Sequence, residues 1–308
     1  MTTVVLLTEE VELIDALRPA FAQLAPQLRV LEAHEPGAEL AEVAACWFPP
    51  AGSLQALPRL RLIHSVSAGI EHLGEAATLP QLPVCRVVDP EQRQGMVEFM
   101  RWAVIHYQRH FDLVLANQQL ARWQRPPQQP AHQFKVGVMG LGSMGCAVAQ
   151  DLAAAGYAVR GWSRSPKQLA SVSCHHGPQL TDFLSGLDLL INLLPLTPAT
   201  QHILNRTTFA ALAPGAVLVN GGRGQHVAKD DLTAALASGQ LRAALLDVFE
   251  QEPLPPDHLW WHMPGLTITP HMASAASMHC IASQIVENLR RLHSGEALLN
   301  RANPALGY

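Results

Sequence analysis

"VGVMGLGSMG", residues 136–145, decides the reading of this chain. An apolar strand runs into Gly140, Gly142 and Gly145, spaced G-x-G-x-x-G, and a helical pattern follows at once. Each glycine serves a physical purpose, respectively the tight turn, the approach of backbone to a pyrophosphate, and the close packing of helix on strand. The helix start, with Ser143 and Met144 between the second and third glycines, offers N–H groups and a positive dipole end to an anion. The spacing alone is a weak signal. Set between strand and helix, it predicts dinucleotide binding, against a tight turn that binds nothing.

Outward from that loop, short apolar runs alternate with helical patterns. Strands are expected at 134–139, 158–162, 188–193, 216–220, 242–246 and 266–269. Helices are expected at 144–155, closed by Gly156, at 200–212, and at 230–238, closed by Gly239. This is a six-stranded doubly wound parallel sheet. The first hundred residues repeat the rhythm less cleanly, with strands near 3–7, 28–31, 44–47, 60–65 and 84–88 and helices at 11–22 and 70–77. A long helix from about 98 to 120 then gives way to the Pro/Gln-rich loop "RWQRPPQQPAHQ", 122–133. The fold class is therefore α/β, with two Rossmann-like doubly wound parallel-sheet domains.

Composition agrees. A chain of 308 residues, 48% hydrophobic and 15% charged, has length for two compact soluble domains. With 21 basic and 25 acidic residues it carries no basic field for nucleic acid or anionic membrane. No run approaches the ~18 continuous apolar residues of a membrane span, and the N-terminus lacks the pattern of a signal peptide. Cys46, Cys85, Cys146, Cys174 and Cys280 are scattered, as expected of reduced thiols in the cytoplasm. "SCHH", 173–176, offers adjacent histidines that rarely converge on one ion, so no metal is expected.

The second strand of the later series ends "VRGWSRS". An NAD site usually carries an acid there for the ribose 2′-hydroxyl; this chain has Ser163, Arg164 and Ser165, with Lys167 close behind. A guanidinium and hydroxyls suit a 2′-phosphate, so NADP(H) is preferred and NAD(H) possible. The alternative is that Arg164 lies in solvent and the missing acid only relaxes specificity.

"NGGRG", 220–224, puts a permanent cation at the tip of an apolar strand. In open α/β sheets that edge is where ligands sit. Gly221, Gly222 and Gly224 let backbone pass close to a flat ring, and Arg223 can hold a carboxylate with its planar fork. Glu252 follows the fifth strand and His271 the sixth. Reduction of a 2-keto acid needs a hydride donor, a proton donor and a cation for the carboxylate. Arg223, Glu252 and His271 meet the protein's share of those needs, with Glu252 holding the imidazole; for Glu252 the plainer alternative is a structural ion pair.

The ordered set "GLGSMG", "LLPLTPAT", "NGGRG", "LLDVFEQEPLP" and "TPHMAS" resembles the D-isomer-specific 2-hydroxyacid dehydrogenases over nearly the whole chain. "CWFPP", "VSAGIEHL", "RGWSRS" and the terminal "LGY" are closer to the glyoxylate/hydroxypyruvate reductase branch. The resemblance implies that Arg223 binds the substrate carboxylate and carbonyl, His271 is the acid/base and Glu252 its partner. It places Asp247 near the nicotinamide carboxamide, Leu194, Pro195 and Thr197 along the cofactor, with Gly221 and Gly222 beside it, and Ala68 and Gly69 N–H groups on the carboxylate. Trp47 would wall the pocket, or serve first in packing.

The resemblance also implies a cofactor domain at 99–283 inserted into a substrate domain formed by 1–98 and 284–308, a cleft that closes on substrate, and a homodimer. Gly221 and Gly222 replace bulkier small residues, and Ser67 and Glu71 stand where the family more often shows Gly and Asp. Two other readings stay open: a non-enzymatic NADP(H) sensor on the same fold, and a 3-hydroxyacid dehydrogenase, whose glycine fingerprint is similar but whose chain starts with it.

Overall fold

The structure, a computed structural model, describes residues 2–306 and comprises two compact units, Met1–Gln92 with Ala276–Tyr308, and Arg93–Ala275. Gly307 and Tyr308 of the terminal motif lie outside the described residues.

In the first unit, strands β1 (Thr3–Leu7), β2 (Arg29–Glu32), β3 (Val43–Cys46), β4 (Leu62–Ser65) and β5 (Val84–Cys85) lie in the order β2-β1-β3-β4-β5, all parallel. β1, β3 and β4 are buried along their whole length, which is why β1 and β3 read as near-continuous apolar runs rather than alternating ones, while β4 buries His64 and Ser65 as well. Helix α1 (Val11–Leu24) seats Ile14, Leu17 and Phe21 in the core of this sheet. The helix expected at 70–77 shrinks to one 3-10 turn, Glu71–Leu73, ended by Gly74 at φ 100°.

The long helix expected at 98–120 is two. α2 (Pro90–Gln108) begins eight residues earlier, where Asp89 Oδ1 accepts the Glu91 N–H at 2.8 Å and Pro90 takes the first helical position. His110, at φ 57°, breaks the run, and α3 (Phe111–Gln119) follows.

The second unit holds β6 (Lys135–Met139), α4 (Ser143–Ala154), β7 (Ala158–Ser163), β8 (Ser173–His176), α5 (Leu180–Leu184) and β9 (Leu189–Asn192). It continues through α6 (Arg206–Ala211), β10 (Ala216–Asn220), α7 (Lys229–Ser238), β11 (Leu241–Leu246) and β12 (Leu266–Ile268). The strands form one parallel sheet, β8-β7-β6-β9-β10-β11-β12, whose order reverses between β6 and β9. Side chains alternate across it: Val136, Ile191, Val219 and Leu245 pack with α2 and α4 on one face, and Met139, Leu190, Leu218 and Leu246 with α5, α6 and α7 on the other.

Seven strands replace the six expected, because "SCHH" is an edge strand paired with β7, with Cys174 opposite Gly161 and His175 opposite Trp162. The helix expected from 200 starts only at Arg206, where Asn205 Oδ1 caps the Thr207 and Thr208 N–H groups. Helix α8 (Met278–Ser294) returns the chain to the first unit and packs on α1; β13 (Arg301–Ala302) adds an antiparallel edge to β5 that the sequence reading did not include.

Candidate active site

Where the order of a doubly wound sheet reverses, the loops at the carboxyl ends part and leave a crevice. In the second unit those loops follow β6, β9, β10, β11 and β12, and they carry most of the candidate residues. After β6, a side chain at Gly145 would meet Gly140 O at 1.8 Å, so only glycine lets α4 start against the turn. The α4 N-cap is Gly142, which places no side chain over the helix's first N–H groups, and a Cβ there would meet nothing within 4 Å. That bare, open helix start fits a pyrophosphate. Gly142 and Ser143 are exposed, while Met144 packs partly into the core.

At the end of β7, Ser163 is buried and its hydroxyl donates to Ser165 O at 2.8 Å, closing the turn. Arg164, Ser165 and Lys167 are exposed beyond it. After β9, Leu194 is buried; Thr200 Oγ1 bonds Pro195 O at 2.7 Å and accepts the Thr197 N–H at 2.8 Å, which fixes that loop as a compact turn.

The proton-transfer candidates meet after β11 and β12. His271 Nδ1 lies 2.7 Å from Glu252 Oε2, and Glu252 Oε1 accepts the Phe249 N–H at 2.8 Å. Burial alone would raise the Glu252 carboxyl. The hydrogen bonds from His271 and Phe249, with the charges of His271 and Arg223, outweigh it and hold the group below the ordinary carboxylate range. The Arg223 charge acts on that carboxyl in the same direction as His271.

The Arg223 loop is also pressed against the Glu252 loop. A Cβ on Gly224 would sit 2.0 Å from Phe249 C and 2.2 Å from Glu250 N, so only glycine permits the contact. Gly221 packs beside Met100 and Leu193, and Gly222 is buried.

Asp247 has an engagement the sequence did not predict. It is 1% exposed; Oδ1 accepts from Thr269 Oγ1 (2.6 Å) and the Met272 N–H (2.9 Å), and Oδ2 from the Ala273 N–H (2.9 Å). The His271 N–H donates to Asp247 O at 2.8 Å, which secures His271 in a left-handed conformation at φ 50°. Such a backbone costs ~1–3 kcal/mol and persists only where surrounding bonds enforce it.

In the first unit, Trp47 Nε1 donates to Glu10 Oε1 at 2.8 Å and its ring lies 4.7 Å from that of His72. Ala68 O accepts from Arg86 at 3.1 Å, and the Gly69 N–H is directed to Ser67 Oγ at 3.2 Å. Sequence reasoning missed Asn192, Asn220, His226 and Thr269. One signal was present: "LLIN" and "VLVN" both end on Asn, and the two pair across the sheet with no exposed surface. Among the described residues no cluster of His, Cys, Asp or Glu could hold a metal ion.

A sheet that reverses at a bare glycine-lined helix start, and sets a His–Glu pair at the same strand edge, defines a dinucleotide-binding α/β protein. Residues 102–273 match the D-isomer specific 2-hydroxyacid dehydrogenase, NAD binding domain, and the chain belongs to that family. It is 41% identical over 295 residues to glyoxylate/hydroxypyruvate reductase A of Serratia proteamaculans, covering 93% of this chain and 94% of the relative. Its fold is similar to a D-isomer specific 2-hydroxyacid dehydrogenase family protein of Klebsiella pneumoniae 342, with TM-score 0.95, 46% identity and coverage of 99% and 98%. It is also similar to a D-isomer specific 2-hydroxyacid dehydrogenase of Xanthobacter autotrophicus Py2 in complex with NADPH and MES, with TM-score 0.93, 38% identity and coverage of 100% and 99%.

Proposed function

We propose that this chain reduces a small 2-keto acid of the glyoxylate or hydroxypyruvate type to the D-2-hydroxy acid with NADPH, NADH serving less well. The reading is carried by the His271–Glu252 contact at 2.7 Å within reach of the Arg223 charge. The Serratia relative's name and the NADPH held by the Xanthobacter relative support the substrate class and the cofactor.

Reduced nicotinamide, when bound, supplies the hydride to the carbonyl carbon. Arg223 binds the substrate carboxylate through its planar fork and leans on the carbonyl oxygen. His271, with Nδ1 held by Glu252, gives a proton from Nε2 to the oxygen as its negative charge develops. Glu252 stays ionised and keeps the ring aimed through its bond to Nδ1. The second unit is the cofactor-binding half of the chain and the first the substrate-binding half.

Following NADPH absorbance with glyoxylate and hydroxypyruvate tests the reading. Turnover that falls sharply in His271→Ala is the expected result; cofactor binding without turnover of any small keto acid would favour a non-enzymatic sensor. The chain also forms a homodimer. Helix α3 has no buried residue and exposes Phe111 and Leu115, α2 exposes Trp102 and Ile105, and Leu120 and Trp123 beyond α3 are exposed too. Sedimentation at twice the monomer mass is expected. No helix among the described residues is long and apolar enough to cross a membrane, and the five free cysteines suit the cytoplasm.

A further inference from the structure

His226, which stands three residues after Arg223 and has no exposed surface, lies at the centre of a closed polar network. Its Nδ1 accepts the Arg223 N–H at 3.0 Å and faces Asn192 Nδ2 at 2.9 Å; its Nε2 lies 3.3 Å from Pro195 O. Asn192 Nδ2 also donates to Asn220 Oδ1 at 2.9 Å, and Asn192 Oδ1 accepts the Leu194 N–H at 3.3 Å. Asn220 Oδ1 accepts the Gly222 N–H at 3.2 Å, and Asn220 Nδ2 donates to Arg223 O at 3.0 Å.

Backbone groups dictate every orientation here. The N–H of Arg223 makes Nδ1 an acceptor, and Pro195 O makes Nε2 the protonated nitrogen. The N–H of Gly222 places Asn220 Oδ1, so the amide nitrogen of Asn192 must face it, and the Leu194 N–H takes the remaining Asn192 oxygen. One tautomer and one pair of amide orientations are compatible with all these contacts, the single Nδ1 lone pair being shared between the Arg223 N–H and Asn192 Nδ2. Both backbone polar groups of Arg223 are thus held, the N–H by His226 and the C=O by Asn220. Glycine at 222 belongs to the same device: a Cβ there would meet Asn192 Nδ2 at 2.8 Å and His226 Nδ1 at 2.9 Å.

We propose that His226, as the neutral Nε2–H tautomer, is a positioning residue that clamps the backbone of Arg223 and so fixes the aim of its guanidinium. Resting on the keto-acid reading for its kinetic consequence, the proposal adds a residue that the reading does not use. His226 touches neither substrate nor reacting atoms; it acts through Arg223.

Two variants separate clamp from bulk. His226→Asn keeps a short side-chain acceptor for the Arg223 N–H, whereas His226→Leu keeps volume and offers none. Without that acceptor the Arg223 backbone loses its hold, so in His226→Leu the KM for glyoxylate or hydroxypyruvate is expected to rise about tenfold or more, with NADPH affinity within about threefold of wild type. His226→Asn is expected to recover most of that KM. Equal KM values for the two variants, or equal loss of keto-acid and NADPH affinity in His226→Leu, would overturn the clamp.

Nitrogen-15 NMR of the wild-type protein gives a reading independent of turnover and of whether His226→Leu folds. The histidine resonance that His226→Asn removes is expected to show an unprotonated Nδ1 and a protonated Nε2; the opposite tautomer or an imidazolium overturns the proposal. Wild-type protein that turns over no keto acid would defeat the functional reading, while this spectrum still decides the clamp.

Discussion

The loop after β7 and the loops after β10, β11 and β12 leave the same edge of one sheet, yet they are held very differently. Those after β10 to β12 are fixed by groups with almost no exposed surface: Asn220 and His226 on the Arg223 segment, Asp247 on the His271 segment, and the Gly224 approach to Phe249 between them. The loop after β7 turns on a bond from the Ser163 hydroxyl to Ser165 O and then runs exposed through Arg164, Ser165 and Lys167. Groups that must meet a developing charge lose much of their effect when displaced by an ångström, whereas groups that attract a phosphate from solvent tolerate motion. The contrast implies that turnover is concentrated in the clamped loops and cofactor choice in the exposed one.

The largest effects should come from the clamped side. Arg223→Ala and His271→Ala are each expected to lower kcat/KM by about 10²–10⁴-fold, while NADPH affinity, read by fluorescence titration, stays within about threefold. Matching losses of turnover and cofactor affinity in Arg223→Ala would erase the division between the two loop sets.

Asp247→Ala should come next and be visible in stability as well as rate. Its carboxylate satisfies the Met272 and Ala273 N–H groups and the Thr269 hydroxyl in a buried setting. Stranding two such amides is expected to cost about 2–4 kcal/mol in chemical denaturation, with turnover falling alongside. A variant of wild-type stability that has lost only NADPH affinity would mean Asp247 serves the cofactor rather than the His271 loop.

Much of this contrast could be read before the structure. Gly140, Gly142 and Gly145 announce the strand-to-helix turn by spacing, and Arg223, Glu252 and His271 fall beyond strand ends because each follows an apolar run. The bonds that clamp them were hidden. Asp247 sits in "LLDVF" as any strand-end acid would, and nothing local reveals that its three donors lie more than twenty residues onward. The broken helix at His110 escaped for a related reason: a left-handed residue other than glycine leaves no composition signal.

A smaller loss is expected for Glu252→Gln, about tenfold or more in kcat, because the imidazole keeps a hydrogen-bond partner but loses the carboxylate beside Nδ1. The pH dependence has a definite sign. The folded Glu252 carboxyl is depressed, so its contribution to stability is fully present above the ordinary glutamate range and is lost as pH falls through the lowered value. In acid titrations monitored by denaturation, Glu252→Gln should lack that acid-side loss; an unchanged profile would show that the carboxylate is not held as described.

The mildest change should come from the exposed loop. Arg164→Ala removes one cation from a site open to solvent, where a charge-assisted bond to phosphate is weakened by screening. NADPH affinity is expected to fall about tenfold and NADH affinity to change less than about twofold. Salt should separate this from a packing effect: raising ionic strength should weaken NADPH binding in the wild type, and the dependence should be shallower in Arg164→Ala. Because Ser163 closes the turn through Ser165 O, kcat with saturating NADPH should be unchanged. Parallel loss of both cofactors would instead make Arg164 a support for the loop itself, and the exposed strand end would then resemble the clamped ones.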